Sequence, residues 1–100
     1  MANELILVVE DNDMSRKLQR DVLTIKGCTI VEAETGEEGV RLAQERRPSL
    51  ILMDIRLPGI DGIQALGRLR AAVATRGIPV MAMGLTYWLE KAEAEKRELG

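Results

Sequence analysis

The fold of this chain is decided by the stretch Leu5-Ile6-Leu7-Val8-Val9-Glu10-Asp11, in which five apolar residues run directly into two acids. Continuous branched apolar runs are typical of strands that are buried on both faces, as they are in parallel sheets. A second run of this kind is Leu50-Ile51-Leu52-Met53, which leads directly into Asp54. The two runs predict two strands of a parallel sheet, each ending in acidic residues.

Helix-like and strand-like segments alternate around these runs. The first helix is expected to begin after a cap at Asp13 and to end at Gly27. Its apolar face would carry Met14, Leu18, Val22 and Ile25. The next elements are a strand at Thr29–Ala33 and a helix that opens at the capping box Thr35-Gly36-Glu37-Glu38 and ends before Pro48.

The alternation continues after Asp54. A turn-rich loop at Leu57–Gly62 leads to a helix whose expected apolar face is Ile63, Leu66, Leu69 and Val73. A fourth strand at Ile78–Met83 and a last helix at Tyr87–Leu99 follow. The order βαβαβαβα predicts a single α/β domain over residues 1–100, a doubly wound parallel sheet with helices on both faces.

The amino-acid composition limits the kinds of partner and catalytic site that the chain can have. The chain is 46% hydrophobic and 30% charged, which is typical of globular domains, and its net charge of −2 favours neither nucleic acid nor an anionic membrane as partner. The single cysteine, Cys28, suits a reducing compartment, and without an export segment the expected location is cytoplasmic. The absence of histidine excludes Ser-His-Asp and Cys-His catalysis and zinc sites with histidine ligands.

Three carboxylates follow the two buried runs: Glu10 and Asp11 after the first, and Asp54 after the second. Ligands of doubly wound sheets bind beyond the carboxyl ends of strands, where the strand order reverses. If the two strands are neighbours, the acids converge, repel one another and favour a hard cation such as Mg²⁺. A carboxylate beside Mg²⁺ can act as a nucleophile on phosphorus. Solvated loop acids and helix caps are the alternative reading.

A family resemblance bears on this choice. The sequences Val8–Asn12 and Leu52–Gly62 resemble those of response-regulator receiver domains, and the second matches the phosphoacceptor motif Asp-x-x-x-Pro-Gly-x-Asp-Gly. Ile78–Met83 is similar to the fourth strand of the family, so the resemblance runs from Leu5 to about Met83. It implies a flavodoxin-like sheet whose strand order is 2-1-3-4-5.

The resemblance also implies roles. Asp54 would accept a phosphoryl group from the phosphohistidine of a sensor histidine kinase or phosphotransfer protein, and the module would relay the signal by changing shape rather than act as an enzyme. The implied Mg²⁺ ligands are Glu10, Asp11, Asp54 and the backbone carbonyl of Arg56. The first helix meets the kinase in this family, so candidate contacts are Asn12, Met14, Ser15 and Leu18.

The sequence departs from the family pattern near its C-terminus. Gly84 stands where the family has Ser or Thr, and neither the fifth strand nor the Lys that follows it is found. A C-terminally incomplete domain of order 2-1-3-4 would expose the edge of strand four, so we expect a homodimer through that strand and the last helix, with Tyr87 and Trp88 near the contact.

Two other functions stay open at this point. One is a truncated or engineered receiver fragment that self-associates and does not switch. The other is a flavodoxin-like cofactor binder, which is disfavoured because Glu10 and Asp11 stand where a glycine-rich phosphate loop would follow strand one.

Overall fold

The computed structural model describes residues 4–82, 89–90 and 92–94. Four parallel strands form one sheet in the order β2-β1-β3-β4, which confirms the predicted fold class and strand order. The strands are β1 Leu5–Val9, β2 Thr29–Ala33, β3 Leu50–Met53 and β4 Val80–Met81. The helices with defined bounds are α1 Asp13–Ile25, α2 Gly36–Arg46 and α3 Gly62–Ala71.

The two central strands, β1 and β3, are buried on both faces of the sheet, as their apolar runs predict. Leu7 and Val9 lie in one core cluster with residues of α2 and α3, among them Ala43 and Leu69. The intervening residues of β1 lie in a second cluster, with members Ile6, Val8, Val22, Leu23 and Leu52 on the α1 side. Residues 89–90 and 92–94 are helical, and Ala92 packs against this second cluster. No helix within the described ranges is long and apolar enough to cross a membrane.

Helix α1 differs from its prediction in both its cap and its buried face. Asn12 is the N-cap, because its side chain accepts the N–H of Ser15 at 2.9 Å, and Asp13 is already helical. Met14 is 63% exposed and Ile25 is also exposed. The residues that α1 buries are Ser15, Gln19, Val22 and Leu23. The buried face is therefore offset by one residue from the apolar stripe and includes two polar side chains.

The C-terminal half also shows differences. In α3, Leu69 is buried as predicted, but Ile63 and Leu66 are exposed, and Val73, which is also exposed, lies beyond the end of the helix. Small residues at positions 62 and 65 are buried instead, which lets α3 approach the sheet closely. Strand β4 is shorter than the predicted strand 78–83, and Met83 lies outside the described residues, as do Gly84, Tyr87 and Trp88.

The turn between α3 and β4 depends on a buried threonine. Thr75 is fully buried, and its hydroxyl donates a 2.7 Å hydrogen bond to the carbonyl of Leu69 in the last turns of α3. Its backbone carbonyl accepts the N–H of Ile78 at 3.0 Å, just before β4 begins. Thr75 therefore fixes the path from the helix into the edge strand.

Replacing Thr75 tests how much the hydrogen bond from its hydroxyl to the carbonyl of Leu69 contributes to stability. Thr75→Val keeps the side-chain shape but leaves the carbonyl of Leu69 without its donor, so we expect the free energy of unfolding to fall by about 1–3 kcal/mol. Urea denaturation followed by circular dichroism measures the change. Thr24→Val, at an exposed position of α1, is the matched control and should change stability by less than about 0.5 kcal/mol. Equal stability of Thr75→Val and the wild type would contradict the assignment.

Candidate functional site

The pairing of β1 with β3 brings three acidic residues together at one edge of the sheet. Val9 lies beside Met53 in the strand register, and the N–H of Asp54 donates to the carbonyl of Val9 at 3.0 Å. As a result, each of Glu10, Asp11 and Asp54 offers a carboxylate oxygen within 4.8 Å of the other two. The structure thus places the three side-chain ligands expected from the sequence in one cluster.

The three acids differ in their exposure and in their partners. Glu10 is only 3% exposed, whereas Asp54 is half-buried and Asp11 is exposed. The carboxylate of Glu10 accepts hydrogen bonds from the N–H of Asn12 at 3.1 Å and from the hydroxyl of Ser15 at 2.9 Å. Burial raises the pKa of Glu10 above its ordinary value of 4.5, and the neighbouring Asp54 raises it further, while the two hydrogen bonds oppose the shift.

Hydrogen bonds within the tight loop after β3 fix the position of Asp54. Oδ1 of Asp54 accepts the N–H of Arg56 at 3.0 Å, and the carbonyl of Ile55 accepts the N–H of Gly62 at 2.9 Å. A Cβ atom on Gly62 would lie 2.7 Å from the carbonyl oxygen of Asp54, so only glycine fits this close approach. Arg56 is an exposed residue whose backbone N–H lies at the site.

The end of this loop that follows Pro58 is connected by hydrogen bonds to α2 and α3. Gly59 has φ +76°, a conformation that favours glycine, and the N–H of Ile60 donates to Glu37 of α2 at 3.4 Å. Asp61 and Gln64 form a complete capping box at the start of α3. The sequence analysis placed Gly59 and Asp61 in the turn-rich loop but did not predict the capping box, although the Asp-x-x-Gln spacing was a readable signal of it.

Sequence reasoning also missed the residues that support Glu10. Ser15 was expected as a kinase contact, but it is 2% exposed and bonds to Glu10 instead, so that expectation is wrong. Gln19, one turn later, donates to the oxygen of Ser15 at 3.2 Å. Arg16 donates to the backbone carbonyl of Glu10 at 3.0 Å and pairs with Glu32 of β2 at 3.2 Å. The only signal in the sequence was a pair of polar residues four positions apart, next to the apolar stripe.

The donor set fits Mg²⁺. This ion is commonly held by one or two carboxylates and keeps several waters, and here one buried acid is joined by two acids that reach solvent. The ion pairs formed between described residues involve other carboxylates, such as those of Asp13, Glu32 and Glu45. As far as the described residues go, the cluster therefore has an excess of negative charge, which attracts a divalent cation.

The repulsion within the cluster predicts the behaviour of Asp54→Asn. In metal-free buffer at neutral pH we expect the variant to be more stable by about 0.2–1 kcal/mol, the usual size of an interaction between partly solvated charges. The gain should shrink as the pH falls through the raised pKa of Glu10, because protonated Glu10 no longer repels Asp54. Urea denaturation across a pH series in the presence of a chelator measures it.

The control for this series is Asp21→Asn, at an exposed aspartate of α1 that pairs with Lys17. This variant loses a surface ion pair. Its free energy of unfolding should equal that of the wild type or be slightly lower at every pH where the carboxylates are ionised. A loss of stability in Asp54→Asn at neutral pH would show that the acids do not repel one another in the folded protein.

Comparison with known proteins agrees with this geometry. The family model of the response regulator receiver domain matches residues 6–96. The polar-differentiation response regulator DivK of Brucella anthropi is 37% identical over 95 residues, which cover 95% of this chain and 76% of that protein.

Solved structures of receiver domains share the fold. The receiver domain of a sensor histidine kinase from Pseudomonas aeruginosa, which has a magnesium ion coordinated in its active-site cleft, is 35% identical with a TM-score of 0.80, covering 83% of this chain and 68% of that one. The N-terminal domain of a response regulator receiver protein from Methanoculleus marisnigri is 33% identical with a TM-score of 0.78, covering 81% of this chain and 66% of that one. The acidic cluster, the sheet order and these matches together show that the chain belongs to the response regulator receiver domain family of two-component signalling.

Proposed function

We propose that this chain is a phospho-accepting module, which takes a phosphoryl group onto Asp54 from a sensor histidine kinase or a phosphotransfer protein and relays the signal by a change of shape. The observation that carries the proposal is the half-buried carboxylate of Asp54, which lies beside Glu10 and Asp11 at the carboxyl edge of the sheet. The partner supplies the phosphoryl group, so the module is a receiver and not an enzyme. The free cysteine, Cys28, is consistent with a cytoplasmic location.

The proposed transfer exchanges one bond to phosphorus for another. A carboxylate oxygen of Asp54 forms a bond to phosphorus while the phosphorus–nitrogen bond of the donor phosphohistidine breaks, and the leaving imidazole keeps the electron pair and takes up a proton. The N–H of Arg56 holds Asp54 in place during this exchange, as it does in the resting structure at 3.0 Å. Asn12 and Ser15 donate hydrogen bonds to the carboxylate oxygens of Glu10, so Glu10 does not compete with Asp54 as the nucleophile.

The residues that would hold Mg²⁺ are Glu10, Asp11 and Asp54, with the backbone carbonyl of Arg56 as a further ligand. When bound, the ion supplies positive charge that offsets the negative charge of the phosphoryl oxygens. This chemistry accounts for the acids themselves, because the fold does not require carboxylates at this edge of the sheet, whereas a cation site uses them as ligands.

A receiver fragment that self-associates without switching is the second candidate. It is favoured by Gly84, which stands in the position where the family has Ser or Thr. This residue lies outside the described part of the chain. The two functions differ in whether Asp54 can be phosphorylated, and that difference can be measured.

Phosphorylation should depend on Asp54 and on Mg²⁺. Incubating the protein with a small-molecule phosphodonor and MgCl₂ should add one phosphoryl group, detected by intact mass spectrometry. We expect the adduct to be lost in Asp54→Asn or with excess chelator. Asp61→Asn is the matched control, because it changes an aspartate of the same loop while asparagine can still cap α3. It should be phosphorylated like the wild type.

Two results would contradict the proposal. If the wild type binds Mg²⁺ but forms no adduct, the non-switching fragment is the better description. If Asp54→Asn still forms the adduct, Asp54 is not the acceptor.

We also propose that two copies associate through β4 and the last helix. Strand β4 is at the end of the sheet order, and Met81 is 44% exposed. Next to it, exposed Ile55 and Ile63 line an apolar cavity of about 150 Å³ between α3 and β4. Leu89, in the helical residues near the C-terminus, is also exposed. Pairing across a two-fold axis would cover this edge in both copies at once.

The association is tested by size exclusion coupled to light scattering over a range of concentrations. We expect a dimer that dissociates on dilution, and Met81→Lys should shift it to the monomer because an edge lysine disfavours strand pairing. Met14→Lys, at an exposed position of α1, is the control and should leave the dimer intact. A stable wild-type monomer at micromolar concentration would rule the dimer out.

A further inference from the structure

A chain of buried polar groups runs from α1 to the acidic cluster. The hydroxyl of Ser15 donates a 2.9 Å hydrogen bond to Oε1 of Glu10, and Nε2 of Gln19 donates a 3.2 Å hydrogen bond to the oxygen of Ser15. Ser15 and Gln19 are 2% and 3% exposed and lie on the buried face of α1 with Val22. Buried hydroxyl and amide groups are costly unless they are hydrogen-bonded. The hydrogen bonds from Ser15 to Glu10 and from Gln19 to Ser15 therefore account for polar residues at these positions.

The direction of these hydrogen bonds determines what Ser15 does. A serine hydroxyl has one proton to donate, and its oxygen can also accept. Because the amide of Gln19 donates to that oxygen, the proton of Ser15 is directed to Glu10. The second oxygen of Glu10, Oε2, accepts the N–H of Asn12 at 3.1 Å. Both carboxylate oxygens of Glu10 are thus held by the N-terminal part of α1 and its cap.

We propose that Ser15, oriented by Gln19, is a positioning residue of the metal site. It fixes the carboxylate of Glu10 relative to Asp11 and Asp54, so that the three acids can share one divalent cation. The inference rests on the proposed function, since it requires Mg²⁺ to bind at these acids. Ser15 contacts neither the cation nor the phosphoryl group and acts only through Glu10.

A purely structural role makes different predictions. If Ser15 and Gln19 only stabilised the fold, their replacement would lower the free energy of unfolding without changing the Mg²⁺ affinity of the folded protein. Side chains that orient metal ligands behave differently, because their loss typically weakens metal binding by about 10- to 100-fold. Residues that act in one hydrogen-bonded chain also give non-additive effects when both are replaced.

The experiment is an isothermal calorimetric titration of each variant with MgCl₂, at a temperature where circular dichroism shows that it is folded. We expect Ser15→Ala to raise the Kd for Mg²⁺ by about 10-fold or more and Gln19→Met to raise it by a smaller factor. The double variant should bind like Ser15→Ala alone, because Gln19 acts only through the hydroxyl. Independent, additive effects would overturn the proposed chain.

Controls and outcomes separate this inference from the proposed function. Ser49→Ala and Gln44→Met change the same residue types at exposed positions and should keep the wild-type Kd. If the wild type does not bind Mg²⁺, the proposed function fails and the inference with it. If the wild type binds and Ser15→Ala binds equally well, the inference alone is overturned. Should Ser15→Ala not fold, an unchanged Kd in folded Gln19→Met overturns it.

Discussion

The parallel pairing of β1 with β3 is the contact on which the site depends. Both strands are buried on both faces, so alternate residues of β1 lie in different core clusters. A slip of one residue would turn every side chain of a strand to the opposite face, which would separate Leu7 and Val9 from the core that they share with α2 and α3. The same register places Asp54 beside Val9 through a 3.0 Å hydrogen bond, one residue before Glu10. Packing of the core therefore sets the spacing of the acids.

This geometry brings like charges close together at one edge of the sheet. Glu10 is buried and its pKa is raised by that burial and by Asp54, so its ionised form is disfavoured in the folded state. Arg16 of α1 donates to the backbone carbonyl of Glu10 and pairs with Glu32. It therefore does not neutralise the carboxylate of Glu10. A cluster that keeps its charge in this way is suited to a cation and poorly explained as a structural device.

The strands and the convergence of the acids were predictable from sequence, whereas the helix faces were not. Continuous apolar runs identify β1 and β3 without knowledge of their neighbours, and the acids follow those runs directly. The amphipathic rule for α1 assumes that polar residues face water, and it fails at Ser15 because that side chain turns inward to bond with Glu10. In α3 the rule favoured large side chains such as Ile63, but the helix packs through small Gly62 and Ala65, which allow a closer approach to the sheet.

The two faces of the sheet are unequally covered at the β4 side. The helical residues near the C-terminus lie on the α1 face, where Ala92 touches the core and a groove of about 820 Å³ remains beside α1. On the opposite face Ile63 and Leu66 of α3 stay exposed near Val80 of the edge strand, whereas Met81 pairs with Leu52 in the register and lies on the α1 face. Burial of apolar area stabilises by about 25 cal/mol per Å², so added contact on either surface would stabilise an associated form. Because Leu89 lines the groove beside α1, association through the last helix would cover part of the α1 face, whereas contact with Ile63 and Leu66 alone would leave α1 accessible to a partner.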